Sequence, residues 1–148
     1  MTLQTQERYR DVGLLVIRVG IGLSFVGYGM PKLLGGPPMW EDVGRAMTYL
    51  GITFAPRLWG FAAAVSEVLG GAALVAGVVF RPAAFFLVCT MIVATVQHFG
   101  RGDGYAGGGF HSIEFGVVSL GLLLMGPGRY GLARLWSRSK DPAGRPSP

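Results

Sequence analysis

The titratable side chains of this chain gather on either side of a glycine-rich segment. Both histidines, His98 and His111, flank residues 100–109, which contain six glycines, and Glu114 follows His111 by three residues. If a helix follows the glycines, His111 and Glu114 share one of its faces, with the carboxylate about 5 Å further along the axis. Because histidine titrates near neutral pH, the group predicts a proton-handling or small-molecule site.

Other interpretations of the same residues stay open. Two histidines and a carboxylate suit iron or zinc, but the His-x-x-Glu order reverses the Glu-x-x-His order of di-iron bundles. We therefore predict no metal site, and His98, His111 and Glu114 are the residues that the metal alternative would use. Haem held by both histidines is a further alternative, which requires both rings to turn inward. The histidines would otherwise be hydrogen-bonding end groups at a membrane surface.

The composition indicates a membrane protein. Of 148 residues, 51% are hydrophobic and only 14% are charged, against about 25% charged residues in soluble domains. The mean hydropathy is +0.46, and the 25 glycines fit the close packing of transmembrane helices. The net charge of +5 comes from bases at the ends of apolar runs and in the tail, so no nucleic-acid partner is predicted. Cys89 is the single cysteine, which excludes dithiol chemistry within the chain.

Four apolar runs predict four membrane-spanning helices, because a helix needs about 20 residues to cross a bilayer. We expect an all-α integral membrane four-helix bundle with antiparallel neighbours. The first run is closed by Pro31, a tight link at 80–82 joins the second and third, and the short third and fourth runs need flanking residues. The four runs are Val12–Met30, Leu58–Phe80, Ala83–Phe99 and Phe110–Met125.

The distribution of bases predicts the orientation, because lysine and arginine favour the cytoplasmic side. Both termini are predicted in the cytoplasm of a bacterial-type inner membrane. We expect a cytoplasmic segment at 1–11, a membrane domain at 12–133 and a disordered tail at 134–148. Eight bases fall on the predicted cytoplasmic side and four on the other: Arg8, Arg10, Arg81, Arg129, Arg134, Arg138, Lys140 and Arg145, against Lys32, Arg45, Arg57 and Arg101.

The first loop, residues 31–57, is long for a connection within a bundle. Apolar side chains recur in it at helical spacing, which predicts an interfacial helix. That helix either packs on the surface or forms a lid over the bundle mouth. The recurring side chains are Trp40, Val43, Met47 and Leu50.

Arg18 and Glu67 lie inside apolar runs, where an ionisable residue costs at least about 2.5 kcal/mol and normally faces the bundle. Their estimated depths predict that they pair, either as a packing lock or to hold an anionic or quinone-like headgroup. Below the histidines and Glu114, this pair would complete a vertical string of polar groups, with Tyr28 and Lys32 at its mouth. Arg18, Gly22, Phe25, Gly29 and Lys32 recur on one helical face.

The segments "RVGIGLSFVGYGMPKLLGG", "EVLGGAALVAGVVFRPAA" and "MGPGRYGL" resemble the DoxX family of four-helix membrane proteins (DoxX/DoxD-like), over about residues 12–133. The family pattern places its arginine, lysine, glutamates and histidine at Arg18, Lys32, Glu67, Glu114 and His98. The chain departs from the pattern at Tyr28, where many relatives have histidine, and after the closing motif, where relatives have an acid.

The resemblance implies a link to membrane oxidoreductases, because some members look like subunits of thiosulfate:quinone oxidoreductase and others are linked to membrane oxidoreductase complexes and to thiol or oxidative stress. The leading hypothesis is an oxidoreductase-associated subunit that holds a quinone, the candidate cofactor, or a similar small molecule. A non-catalytic subunit of a larger membrane complex is the second hypothesis and a transporter the third. No residue is assigned a catalytic role. The expected partners are the lipid bilayer and either other membrane proteins or further copies of the chain.

Overall fold

The computed structural model describes residues 3–132, and in this part of the chain every regular element is helical. The predicted tail at 134–148 lies outside the described residues. Four helices are long and apolar enough to cross a membrane, so the predicted four-helix fold with a short helix in the first loop is confirmed. The elements are α1 (Leu3–Leu34), α2 (Gly36–Gly44), a 3₁₀ turn (Arg45–Leu50), α3 (Pro56–Ala76), α4 (Phe80–Gly100), a π turn (Tyr105–Gly109) and α5 (Phe110–Met125).

Each of the four long helices runs antiparallel to the long helix before it in the sequence. Helix α1 packs on α3, α3 on α4 and α4 on α5, whereas α1 and α5 touch far less extensively. We call the end with the α3–α4 turn and residues 126–131 the tail end, and the end with α2 and residues 101–109 the loop end. Many large apolar side chains remain exposed, as expected where lipid replaces water. The buried core consists of Leu14, Phe25, Leu74, Phe80, Ala84, Leu87, Met91 and Leu122.

Small residues let α1 and α3 approach closely and set their register. A Cβ atom added to Gly22 would lie 2.6 Å from the carbonyl oxygen of Gly71, and one added to Gly29 would lie 2.7 Å from the Cβ of Glu67. Both contacts leave no room for a side chain. The α1 face predicted from the sequence is the buried one, with Lys32 half-buried at its loop end.

Two predicted boundaries are wrong. Helix α1 continues through Pro31 to Leu34, because proline removes one backbone donor and bends a helix without having to end it. The α3–α4 turn lies at 77–79 rather than 80–82, since Gly77 ends α3 with a φ of 70°, a conformation that glycine adopts readily. Pro82 then falls in the first turn of α4, where proline is tolerated.

Helix α2 is held against α3 by direct backbone contact. A Cβ atom on Gly44 would collide with the carbonyl of Pro56, and one on Gly60 with the carbonyl of Trp40. The Trp40 indole also donates a hydrogen bond to the carbonyl of Leu33 (3.2 Å). These contacts favour surface packing over a movable lid.

Candidate polar site at the loop end

The central polar feature of the bundle is an ion pair between α1 and α3. The Lys32 ammonium donates to both carboxylate oxygens of Glu67, at 2.6 and 2.7 Å. Glu67 lies eleven residues into α3, about 16 Å from its first residue, and its side chain is only 2% exposed. The Lys32 side chain is 32% exposed, so the pair joins the buried interior to the loop end.

The predicted pairing of Arg18 with Glu67 is wrong, and the helix register gives the reason. Because Gly29 contacts Glu67, Arg18 lies three helical turns nearer the start of α1, beside Gly77. Gly77 lies ten residues from Glu67, about 15 Å along the axis. The sequence-based depths of Arg18 and Glu67 were counted from the ends of the apolar runs. They left out the last four residues of α1, which include Lys32 and bring it within reach of Glu67.

Aromatic rings from α1 and α5 contact one another in the loop-end half of the bundle. Tyr28 precedes Lys32 by one helical turn, and its ring centroid lies 4.9 Å from that of His111 and 5.9 Å from that of Phe115. The His111 and Phe115 rings are 4.1 Å apart. Tyr28 and His111 are both exposed. We call Tyr28, Lys32, Glu67, His111 and Phe115 the loop-end cluster.

The two histidines have different partners. Nδ1 of His98 lies 3.1 Å from a carboxylate oxygen of Asp103, so the carboxylate beside a histidine is Asp103 and not Glu114. Glu114 is exposed and forms no hydrogen bond or ion pair with any residue that the structure describes. The predicted vertical string is therefore not continuous. Within residues 3–132, no three histidine, cysteine, aspartate or glutamate side chains lie close enough together to bind a metal ion. His98, His111 and Glu114 are therefore not brought together as a set of metal ligands.

Arg18 instead fastens the chain that follows α5. Its two terminal nitrogens donate to the carbonyls of Pro127 (2.9 Å) and Tyr130 (2.7 Å), which satisfies acceptors after the end of a helix. Asp11, one heptad earlier on α1, is 4% exposed and accepts a long hydrogen bond of 3.4 Å from the backbone N–H of Arg129. We call Arg18 and Asp11 the tail-end clamp.

Asp11 was missed at the sequence level because the predicted helix started after it. Its seven-residue spacing from Arg18 was the available signal, since residues one heptad apart share a helical face. The clamp also gives the "GPGRY" motif a structural role, because the carbonyls of its proline and tyrosine accept both bonds from Arg18.

The fold and the buried charges define the class: a multi-pass membrane protein with four candidate spans, two of which are joined by an ion pair. The chain belongs to the DoxX family, whose model matches residues 13–99. That region holds α2, α3, all but the start of α1 and nearly all of α4, with both partners of the ion pair. No curated protein and no solved structure matches the chain.

Proposed function

We propose that this protein is an oxidoreductase-associated membrane subunit that holds a quinone or a similar small molecule at the loop-end cluster. The observation that carries the proposal is the ion pair between Glu67, which is fully buried, and Lys32, which is one third exposed. An ionisable pair in the hydrocarbon region is costly and usually marks a functional site. Because Lys32 is the partly exposed residue of the pair and lies at the loop end, the site would open toward that end.

The residues of the cluster suit a flat ligand with carbonyl oxygens. The Lys32 ammonium and the His111 ring are hydrogen-bond donors for such an oxygen, and the rings of Tyr28 and Phe115 offer stacking surfaces. Quinones carry electrons and protons through membranes and exchange them while bound to a redox partner. The roles of this chain would be to orient the ring and to hold protons at His111 and at the Lys32–Glu67 pair.

The remaining residues of the predicted site have no assigned contact with the ligand. Arg18 fastens the tail end. His98 pairs with Asp103, and Glu114 is exposed. We place His98 and Glu114 at the margin of the site, where they would pass protons to and from the ligand.

The test is to measure quinone that co-purifies with the protein in a mild detergent. Lys32→Gln and His111→Gln should each lower the molar ratio of quinone to protein at least about tenfold, as expected when a ligand loses a hydrogen bond to a charged or desolvated donor. His98→Gln is the matched control and should retain most of the quinone. Equal retention by all three variants, or no quinone in the wild type, would contradict the proposal.

A second candidate function is a non-catalytic subunit of a larger membrane complex. The observation that favours it is the exposed Glu114, one turn into α5, on a helix that also exposes Val117 and Leu124. A carboxylate facing lipid is costly, and a cation on a partner protein would relieve that cost. A stable protein complex that Glu114→Gln dissociates, without quinone in the wild type, would favour this function over the first.

A further inference from the structure

We infer that the groove between α1 and α3 at the tail end binds the headgroup and one acyl chain of an anionic phospholipid. This groove has a volume of about 440 Å³, which lies within the range of about 300–1,000 Å³ usual for ligand sites. Its walls are apolar apart from Arg18 and Tyr130 at one end. It is lined by Arg18, Leu23, Val26, Ala72, Val75, Ala76, Tyr130 and Leu132.

Arg18 provides the first argument, because its hydrogen bonds leave its charge uncompensated. The residue is 2% exposed, and both of its bonds go to neutral carbonyls. Its third nitrogen, Nε, is buried and has no hydrogen-bond partner among the residues that the structure describes. A buried cation without a counter-ion is strongly unfavourable. A phosphate group in the groove would supply both the negative charge and the missing acceptor.

The charge of the tail end provides the second argument. Five arginines and two acids lie on the described helices and turns at this end: Arg8, Arg10, Arg18, Arg81 and Arg129, with Glu7 and Asp11. The surplus of positive charge favours anionic lipid over zwitterionic lipid. Basic pockets between spans are typical sites for acidic headgroups.

A second groove in the bundle serves as an internal comparison. It lies between α4 and α5, has a volume of about 320 Å³ and is lined by apolar residues together with Thr95 and Ser112. No charged side chain lines it, so acyl chains would fill it without regard to their headgroups. Of these two grooves, the α1–α3 groove is the one that combines an apolar channel with a cation.

Native mass spectrometry of the full chain in mild detergent tests the inference. Phosphatidylglycerol and phosphatidylcholine with identical acyl chains are added in equal amounts. We expect about fivefold tighter binding of phosphatidylglycerol, the factor that corresponds to about 1 kcal/mol for one basic residue near an anionic headgroup.

Two pairs of variants locate that preference. Ala72→Phe fills the groove without touching the bonds of Arg18 and should abolish it, whereas Ala62→Phe, at an exposed position on the same helix outside the groove, should keep it. Leu23→Trp, on the opposite wall, should repeat the loss, with Leu69→Trp as its control; these two leucines are 59% and 63% exposed. The inference is overturned if the wild type binds both lipids equally, or if the groove-filling variants keep the preference, which would then belong to other bases such as those of the tail.

Discussion

Replacing Lys32 by methionine would leave the Glu67 carboxylate in the bundle interior without its cation. Removing one partner of a buried ion pair costs about 3–5 kcal/mol. The Lys32 side chain is 32% exposed whereas that of Glu67 is 2% exposed, so water already weakens the pair from the lysine side. We therefore expect Lys32→Met to lower the free energy of unfolding by about 3 kcal/mol, the lower end of that range.

Glu67→Gln should be milder, because the ammonium that remains can turn toward the loop end and water. We expect a loss of about 1–2 kcal/mol, close to the value of one hydrogen bond to a charged group. The double variant should be more stable than Lys32→Met alone, since no buried charge remains in it. The measurement is equilibrium unfolding in mixed detergent micelles containing increasing dodecyl sulfate. The reasoning is refuted if Lys32→Met costs no more than Glu67→Gln, or if the two losses simply add.

Three further predictions concern helix packing and charged side chains elsewhere in the protein. Gly22→Ala should destabilise the bundle by about 1–3 kcal/mol through overpacking, because the added Cβ atom would lie 2.6 Å from the backbone oxygen of Gly71. The control is Gly27→Ala, whose added Cβ atom would have no neighbour within 4 Å. This variant should be as stable as wild type or more stable in the same unfolding assay. Arg18→Gln should cost about 3 kcal/mol through two lost charge-assisted hydrogen bonds, and equal stability of variant and wild type in that assay would show that the tail-end clamp is dispensable. Hydrogen bonds from Arg57 and Arg45 hold the pKa of the Glu41 carboxyl below its usual range. The contribution of this carboxylate to stability is therefore full above the unfolded-state pKa of about 4.3 and is lost as the pH falls through the lower folded-state value. Wild type should lose more stability than Glu41→Gln on acidification, and parallel pH profiles of the two proteins would contradict this.

The sequence by itself determined the class of protein and the number of helices. Four long apolar runs indicate membrane spans, and such spans must be helical here because lipid offers the backbone N–H and C=O groups no partners. Helical periodicity also identified the buried face of α1, from Arg18 to Lys32. The short helix of the first loop followed from its spacing of apolar residues. These features depend on local composition and on the helical repeat, which a sequence displays directly.

Only the tertiary structure decided which charges meet. The partner of Glu67 depends on the register between α1 and α3, which the contacts of Gly22 with Gly71 and of Gly29 with Glu67 fix. Arg18 lies beside Gly77, and the ten residues from Gly77 to Glu67 correspond to about 15 Å along α3, too far for Arg18 to replace Lys32 as the partner of Glu67. Periodicity gives the face of a helix but not its height against a neighbour, because height is set by close packing between residues far apart in the chain. For the same reason, Asp11 and Arg18 were tied to the turn after α5 only when the helices were seen packed together.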